Sequence, residues 1–223
     1  MNELVVLNKP KSVVSEDIRT IRTNIEFSNV DNDLKVINVT SSVPGEGKSF
    51  VSSNLATAFA QNDVKVLLID CDMRLGRQHK IFEVSNKKGL SNLIAKSDDK
   101  SDYEDYIQKT SVKNLYLLPR GVVPPNPSEL LSSKKFEKIL EDLKKIFKYI
   151  ILDGVPVNGL ADSLILSSIS DKTVIVSKYG FTDINDLENT KKSLENIGAD
   201  IVGVVLNKVP KTRSKYGNYY YSD

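Results

Sequence analysis

The sequence predicts a doubly wound α/β fold with a mostly parallel sheet, and three observations carry that expectation. Short apolar runs recur along the chain, helical patterns fill the intervals between them, and one run ends in a Gly-rich turn, VTSSVPGEGKS, at residues 39–49. The runs at 36–39, 64–69, 115–118, 149–152, 173–177 and 201–206 are short and continuously apolar, as buried parallel strands are.

Taken in order, residues 1–14 read as an extended arm that includes Asn8-Lys9-Pro10-Lys11-Ser12. A helix then opens at Ser15 as N-cap, with Ile18, Ile21 and Ile25 on one face. Glu16, Arg19 and Arg22 form a stripe that winds roughly 120° around its other side, at about 100° per residue. On spacing alone this is a solvated face with an i,i+3 pair worth roughly a few tenths of a kcal/mol. The strand at 36–39 leads into the Gly-rich turn, and a helix with few breakers follows at 51–61. A second helix, at 133–147, repeats Phe136, Ile139, Leu140, Leu143 and Phe147 at helical spacing, and a third covers 185–197. The Pro-rich VVPPNPSELL at 122–131 reads as a rigid connection, and residues 211–223 are too poor in aliphatic side chains to pack as an element. The domain therefore spans 15–210, with a tail at 211–223.

Composition narrows the classes of function. The chain has 223 residues, 40% of them hydrophobic, enough for a sizeable core without disulfides or metals. Its 31 basic and 29 acidic residues nearly balance, which argues against a nucleic-acid footprint. The single Cys71 excludes an intramolecular disulfide and suits a reducing compartment. No apolar run approaches the roughly 18 residues of a membrane span, and no signal peptide is visible, so a cytoplasmic location is expected.

The Gly-rich turn carries the chemistry. It fits G-x-x-x-x-G-K-[ST] except that Ser42 stands at the first glycine, and a strand-then-helix context supports it as a phosphate-binding loop with a deviant Walker pattern. Pro44, Gly45, Glu46, Gly47, Lys48, Ser49 and Phe50 are the residues expected around the nucleotide. Backbone N–H groups of such a loop point at phosphate oxygens, the Lys48 ammonium reaches the β- and γ-phosphates, and the Ser49 hydroxyl ligates Mg²⁺, so ATP or GTP is the expected ligand. Two further strands end in acids: LLIDCDMR gives Asp70, Asp72 and Arg74, and IILDGVP gives Asp153. A doubly wound sheet brings these carboxylates to the edge that holds the loop, where Mg²⁺ and a triphosphate require oxygen donors. His79 and Cys71 receive no role.

These residues together resemble the bacterial tyrosine kinases of the capsular and exopolysaccharide family, in the form of a separate cytosolic kinase that works with a membrane adaptor. The resemblance rests on the loop with Pro44-Gly45, the D-x-D-x-R of residues 70–74, the acid at Asp153, the PPNPSELL segment and a tyrosine-rich tail, and covers nearly the whole chain. It implies a P-loop ATPase fold related to the cell-division and chromosome-positioning ATPases. Those relatives usually carry lysine where this chain has Pro44, which favours the kinase branch.

The resemblance also implies roles. Lys48 would stabilise the transferring phosphoryl group, Ser49, Asp72 and Asp153 would hold Mg²⁺ directly or through water, and Asp70 would be the group nearest an incoming hydroxyl. A phenol with an ordinary pKa near 10 attacks poorly at neutral pH, which makes Asp70 the candidate base. Where the family usually reads D-x-P-P, this chain reads Asp153-Gly154-Val155-Pro156, so a looser turn is expected after the acid. Asn207, in VVLNK, is either the residue placed against adenine, as in ATPases of this group, or a polar strand-end turn residue. Of nine tyrosines, Tyr216, Tyr219, Tyr220 and Tyr221 crowd the last eight positions, and the resemblance makes them autophosphorylation sites offered to a neighbouring subunit. Interleaved Lys211, Arg213 and Lys215 offer the competing reading of a contact with an anionic surface. The E-x-x-R-x-x-R of Glu16, Arg19 and Arg22 becomes an intersubunit contact in a ring. The implied function is an ATP- and Mg²⁺-dependent kinase that phosphorylates tyrosines, its own tail included, regulates surface polysaccharide synthesis or export, and is recruited to the inner face of the membrane by its adaptor. The alternatives are a positioning or partitioning ATPase of the same fold, or a nucleotide-gated assembly module without kinase activity.

Overall fold

A computed structural model of the protein describes residues 3–28, 34–96 and 103–210. In chain order its elements are α1 (Val5–Asn8), α2 (Val13–Phe27), β1 (Val36–Ser41), α3 (Lys48–Ala60), β2 (Val66–Asp70), α4 (Gln78–Ile81) and α5 (Leu90–Ala95). After a 3-10 turn at Tyr103–Asp105 come β3 (Gln108–Lys109), β4 (Leu115–Leu118), α6 (Pro127–Leu131), α7 (Lys134–Ile146), β5 (Tyr149–Pro156), α8 (Ala161–Ser168), β6 (Lys172–Lys178), α9 (Ile184–Asn196) and β7 (Ile201–Asn207). The strands form one seven-stranded sheet in the order β3-β4-β2-β5-β1-β6-β7. Every pairing is parallel except β3 with β4.

Successive residues of a strand point to opposite faces, and each face here has its own core. Ile37, Leu68 and Ile151 pack with Leu55 and Phe59 of α3 on one side. Val36, Leu67, Ile69, Ile150 and Leu152 pack with Phe136, Leu140 and Leu143 of α7 on the other. Burial on both faces explains why these strands read as unbroken apolar runs. The α7 helix is amphipathic, and the Ser133 hydroxyl caps it by accepting from Phe136 N at 3.2 Å.

Four local expectations are corrected. The first fourteen residues are not a uniformly extended arm: Val5–Asn8 form a helical turn with Leu4 and Val6 fully buried. The N-cap of α2 is Ser12, whose hydroxyl accepts from Ser15 N at 3.2 Å; Ser15 is buried and donates to Lys9 O at 2.7 Å. Residues 127–131 of the Pro-rich connection are helical, with Pro127 in the first turn, where its missing N–H costs nothing. No loosened turn follows Asp153, because β5 continues buried through Pro156. The short antiparallel strand β3 lacked any periodic signal. The tail tyrosines Tyr216, Tyr219, Tyr220 and Tyr221, with Lys211, Arg213 and Lys215, lie outside the described residues.

Candidate active site

The carboxyl ends of β1, β2 and β5 lie side by side, because β5 pairs with both of the others. The loop after β1 wraps the N-terminus of α3, whose first turn carries Lys48 and Ser49. Gly47 caps that helix at φ +101°, and a Cβ there would lie 2.1 Å from the Asn207 amide nitrogen, so both conformation and space require glycine. The loop is braced from within. Glu46 is fully buried, one carboxylate oxygen accepting from Val43 N at 2.8 Å and the other from the Thr182 hydroxyl. The Asn207 Nδ2 donates to Glu46 O at 2.9 Å, tying the loop to the end of β7.

Asp70 and Asp153 are register neighbours on β2 and β5, and both are fully buried. Asp153 accepts from the Ser52 hydroxyl at 2.9 Å and from Gln78 Nε2 at 2.7 Å. Burial raises its pKa against the opposing pull of Gln78, Lys48, Ser49 and Ser52. Asp70 accepts from Gln78 N at 3.0 Å through one oxygen, while the other has no partner. Burial, followed by the charge of Asp153, pushes its carboxyl well above the ordinary range. Gln78 therefore clasps both acids, and its amide also reaches Ser49 O at 3.1 Å.

Asp72 behaves differently. Its Oδ1 accepts from Arg74 N at 3.2 Å and from Leu75 N at 2.8 Å, forming a turn on which the carboxylate remains partly exposed. A cleft of about 660 Å³ opens above these elements, lined among others by Gly47, Lys48, Ser49, Asp72, Arg74 and Asn207. Lys48 is only 8% exposed and borders the cleft. A backbone loop at a helix N-terminus, a lysine beside it and hard oxygen donors on facing walls fit a magnesium-bound triphosphate.

Comparison with known proteins gives the family. The model of a family described as an AAA domain matches residues 34–201. The putative tyrosine-protein kinase CapB of Staphylococcus aureus is 40% identical over 223 residues, 100% of this chain and 96% of that protein. The tyrosine-protein kinase YwqD of Bacillus subtilis is 38% identical over 217 residues, 97% of this chain and 90% of that one. The chain belongs to the bacterial tyrosine-protein kinase family. The crystal structure of the chimerical protein CapA2B2 superposes with a TM-score of 0.89 at 38% identity, covering 95% of this chain and 92% of that one.

Within this member of the kinase family, the loop residues Pro44, Gly45, Gly47, Lys48, Ser49 and Phe50 all border the cleft, with Asp72 and Asn207. Glu46 does not: its side chain is an internal strut. Asp70 is not beside an incoming hydroxyl, since none of its surface is exposed. Asn207 spends its amide on the loop and accepts from Lys208 N at 2.8 Å. The Glu16, Arg19 and Arg22 stripe is engaged within the chain: Arg19 binds Glu16 and Pro10 O, and Arg22 reaches Ala58 O at 2.7 Å and Asn62 Oδ1 at 2.9 Å. Gln78, Ser52, Thr182, Asp162 and Ser128 were missed by sequence reading, because each acts through a partner remote along the chain.

Proposed function

We propose that the protein is an ATP-dependent protein-tyrosine kinase. The observation that carries this reading is the convergence of Lys48, Ser49 and Asp72 on one cleft above the buried Asp70 and Asp153 pair, in a chain with full-length relatives named tyrosine-protein kinases. A tyrosine phenol oxygen attacks the γ-phosphorus of ATP, the bond to the ADP oxygen breaks, and the phenol proton leaves to a carboxylate. Asp72 is the acid open to the cleft and takes that proton in place of Asp70. Lys48 stabilises charge on the transferring phosphoryl group, and the loop N–H groups hold the triphosphate in line. Magnesium, held by the Ser49 hydroxyl with Asp72 and Asp153 reached through water, supplies neutralisation of phosphate charge. The fully buried Asp70 sets the charge beneath the site through its contact with Asp153.

The substrates include the chain's own Tyr216, Tyr219, Tyr220 and Tyr221, presented in trans within a ring that uses Glu16, Arg19 and Arg22. A membrane adaptor recruits the kinase to the cytoplasmic face of the membrane, where it regulates capsular or extracellular polysaccharide synthesis and export. The name of the CapA2B2 chimera, which joins two components, supports an adaptor partnership. Among the described residues, no helix is long and apolar enough to cross a membrane.

Mass spectrometry of the protein after incubation with Mg-ATP, with and without an adaptor-derived cytosolic peptide, tests this function. Phosphotyrosine in the tail is the expected result. ADP release without phosphotyrosine in either arm overturns it in favour of a positioning ATPase.

A further inference from the structure

We infer that Asp162 is a positioning residue that sets the Arg74 guanidinium at the cleft, and that Ser128 makes the Pro-rich segment part of the same device. Arg74 lines the cleft beside Lys48, Ser49 and Asp72, and its side chain is 36% exposed, so it faces both solvent and protein. Its backbone is fixed by the bond from its N–H to Asp72 Oδ1. Its head is fixed by Asp162, in the first turn of α8, whose side chain is only 1% exposed. Each oxygen of Asp162 has one donor: Arg74 Nη1 on Oδ2 and the Ser128 hydroxyl on Oδ1.

A buried carboxylate is costly unless paired and hydrogen-bonded, and this one is satisfied only through a residue of the cleft wall and a residue of α6. Arg74 spends one donor of its fork on Asp162 and keeps the others for anionic oxygens in the cleft. A cation held at both ends before the reaction needs little reorganisation when phosphoryl charge develops. Three segments far apart in the chain, the 70–78 loop, the first turn of α8 and the PPNPSELL helix, are thereby joined at one guanidinium. The inference rests on the kinase reading above, with ATP phosphates as the anion.

The rival account is an ion pair that merely staples α8 to the loop, and a double-mutant cycle separates the two. Phosphotyrosine formation, ADP release and affinity for a fluorescent ATP analogue with Mg²⁺ are measured for wild type, Asp162→Asn, Arg74→Ala and the double variant. The expected result is a fall in kcat of about 10- to 100-fold in each single variant, with nucleotide affinity changed less than about 3-fold. The double variant should be no slower than Arg74→Ala, yet melt at a higher temperature than it, because the orphaned buried charge is gone. Ser128→Ala leaves the ion pair in place and guards against a folding defect in Asp162→Asn. It should lose a few-fold in kcat in the wild-type background and nothing in the Arg74→Ala background. Additive losses of kcat, or a loss confined to nucleotide affinity, overturn the positioning role. If wild type releases ADP but makes no phosphotyrosine, the kinase reading fails, and the same cycle read on ADP release still decides between positioning and stapling.

Discussion

Asp70 and Asp153 face one another across neighbouring strands, and Gln78 bonds to both, by its backbone N–H to Asp70 at 3.0 Å and by its side-chain amide to Asp153 at 2.7 Å. Two buried acids so placed repel, and the fold tolerates the repulsion under a cleft that takes a cation.

The first prediction concerns the charge on Asp70. Its folded pKa lies well above the ordinary 3.8, so between those two values the folded chain holds more protons than the unfolded one, and stability falls as pH rises through that window. At neutral pH the full cost is present. Asp70→Asn should therefore raise the melting temperature of the nucleotide-free protein at pH 7, by about 2–4 °C for each kcal/mol relieved. The gain should shrink as pH is lowered toward 4. A lower melting temperature at pH 7 would show that Asp70 stabilises the fold as a carboxylate.

Gln78→Leu keeps the backbone bond to Asp70 and removes the amide that serves Asp153, Ser49 O and Ser52. Leaving those buried groups without their donor should cost about 1–3 kcal/mol in urea unfolding and should also reduce phosphotransfer. Unchanged values for both would reduce Gln78 to a space-filler.

Arg19 and Arg22 should separate in stability. Arg19 pairs with the exposed Glu16, and Arg19→Ala should change stability by about 0.5 kcal/mol or less. Arg22, only 16% exposed, joins α2 to the end of α3, and Arg22→Ala should cost about 1.5–3 kcal/mol. If the stripe is also a ring contact, light scattering will show lower mass for both variants. An unchanged mass returns it to a surface that serves the monomer.

What could be read from the sequence follows from how local each signal is. The phosphate loop and its flanking β1 and α3 were legible because a strand, a Gly-rich turn and a helix are contiguous. Asp70 and Asp153 were legible as acids at or near strand ends, although their burial was not. Asp162 reaches Arg74 across 88 positions, and Thr182 reaches Glu46 across 136, so no spacing could announce them. Helices α4, α5 and α6 have four to six residues, too few to establish a period. The choice of Ser15 over Ser12 as N-cap failed because both are serines near the helix start, and the carbonyls of Val5 and Lys9 that claim the Ser15 hydroxyl belong to the folded α1 turn.

The central claim, that this cleft transfers phosphate from ATP to tyrosine, is tested most directly with two complementary chains. One is Lys48→Met with its tail intact; Lys48 is held at the cleft and not in the core, so this variant should fold while losing phosphotransfer. The other has Tyr216, Tyr219, Tyr220 and Tyr221 all changed to Phe and keeps its active site. Each chain alone with Mg-ATP should carry no tail phosphate by mass spectrometry, whereas the mixture should place phosphotyrosine on the tail of the Lys48→Met chain alone. A mixture that consumes ATP and leaves both tails unmodified would contradict the account.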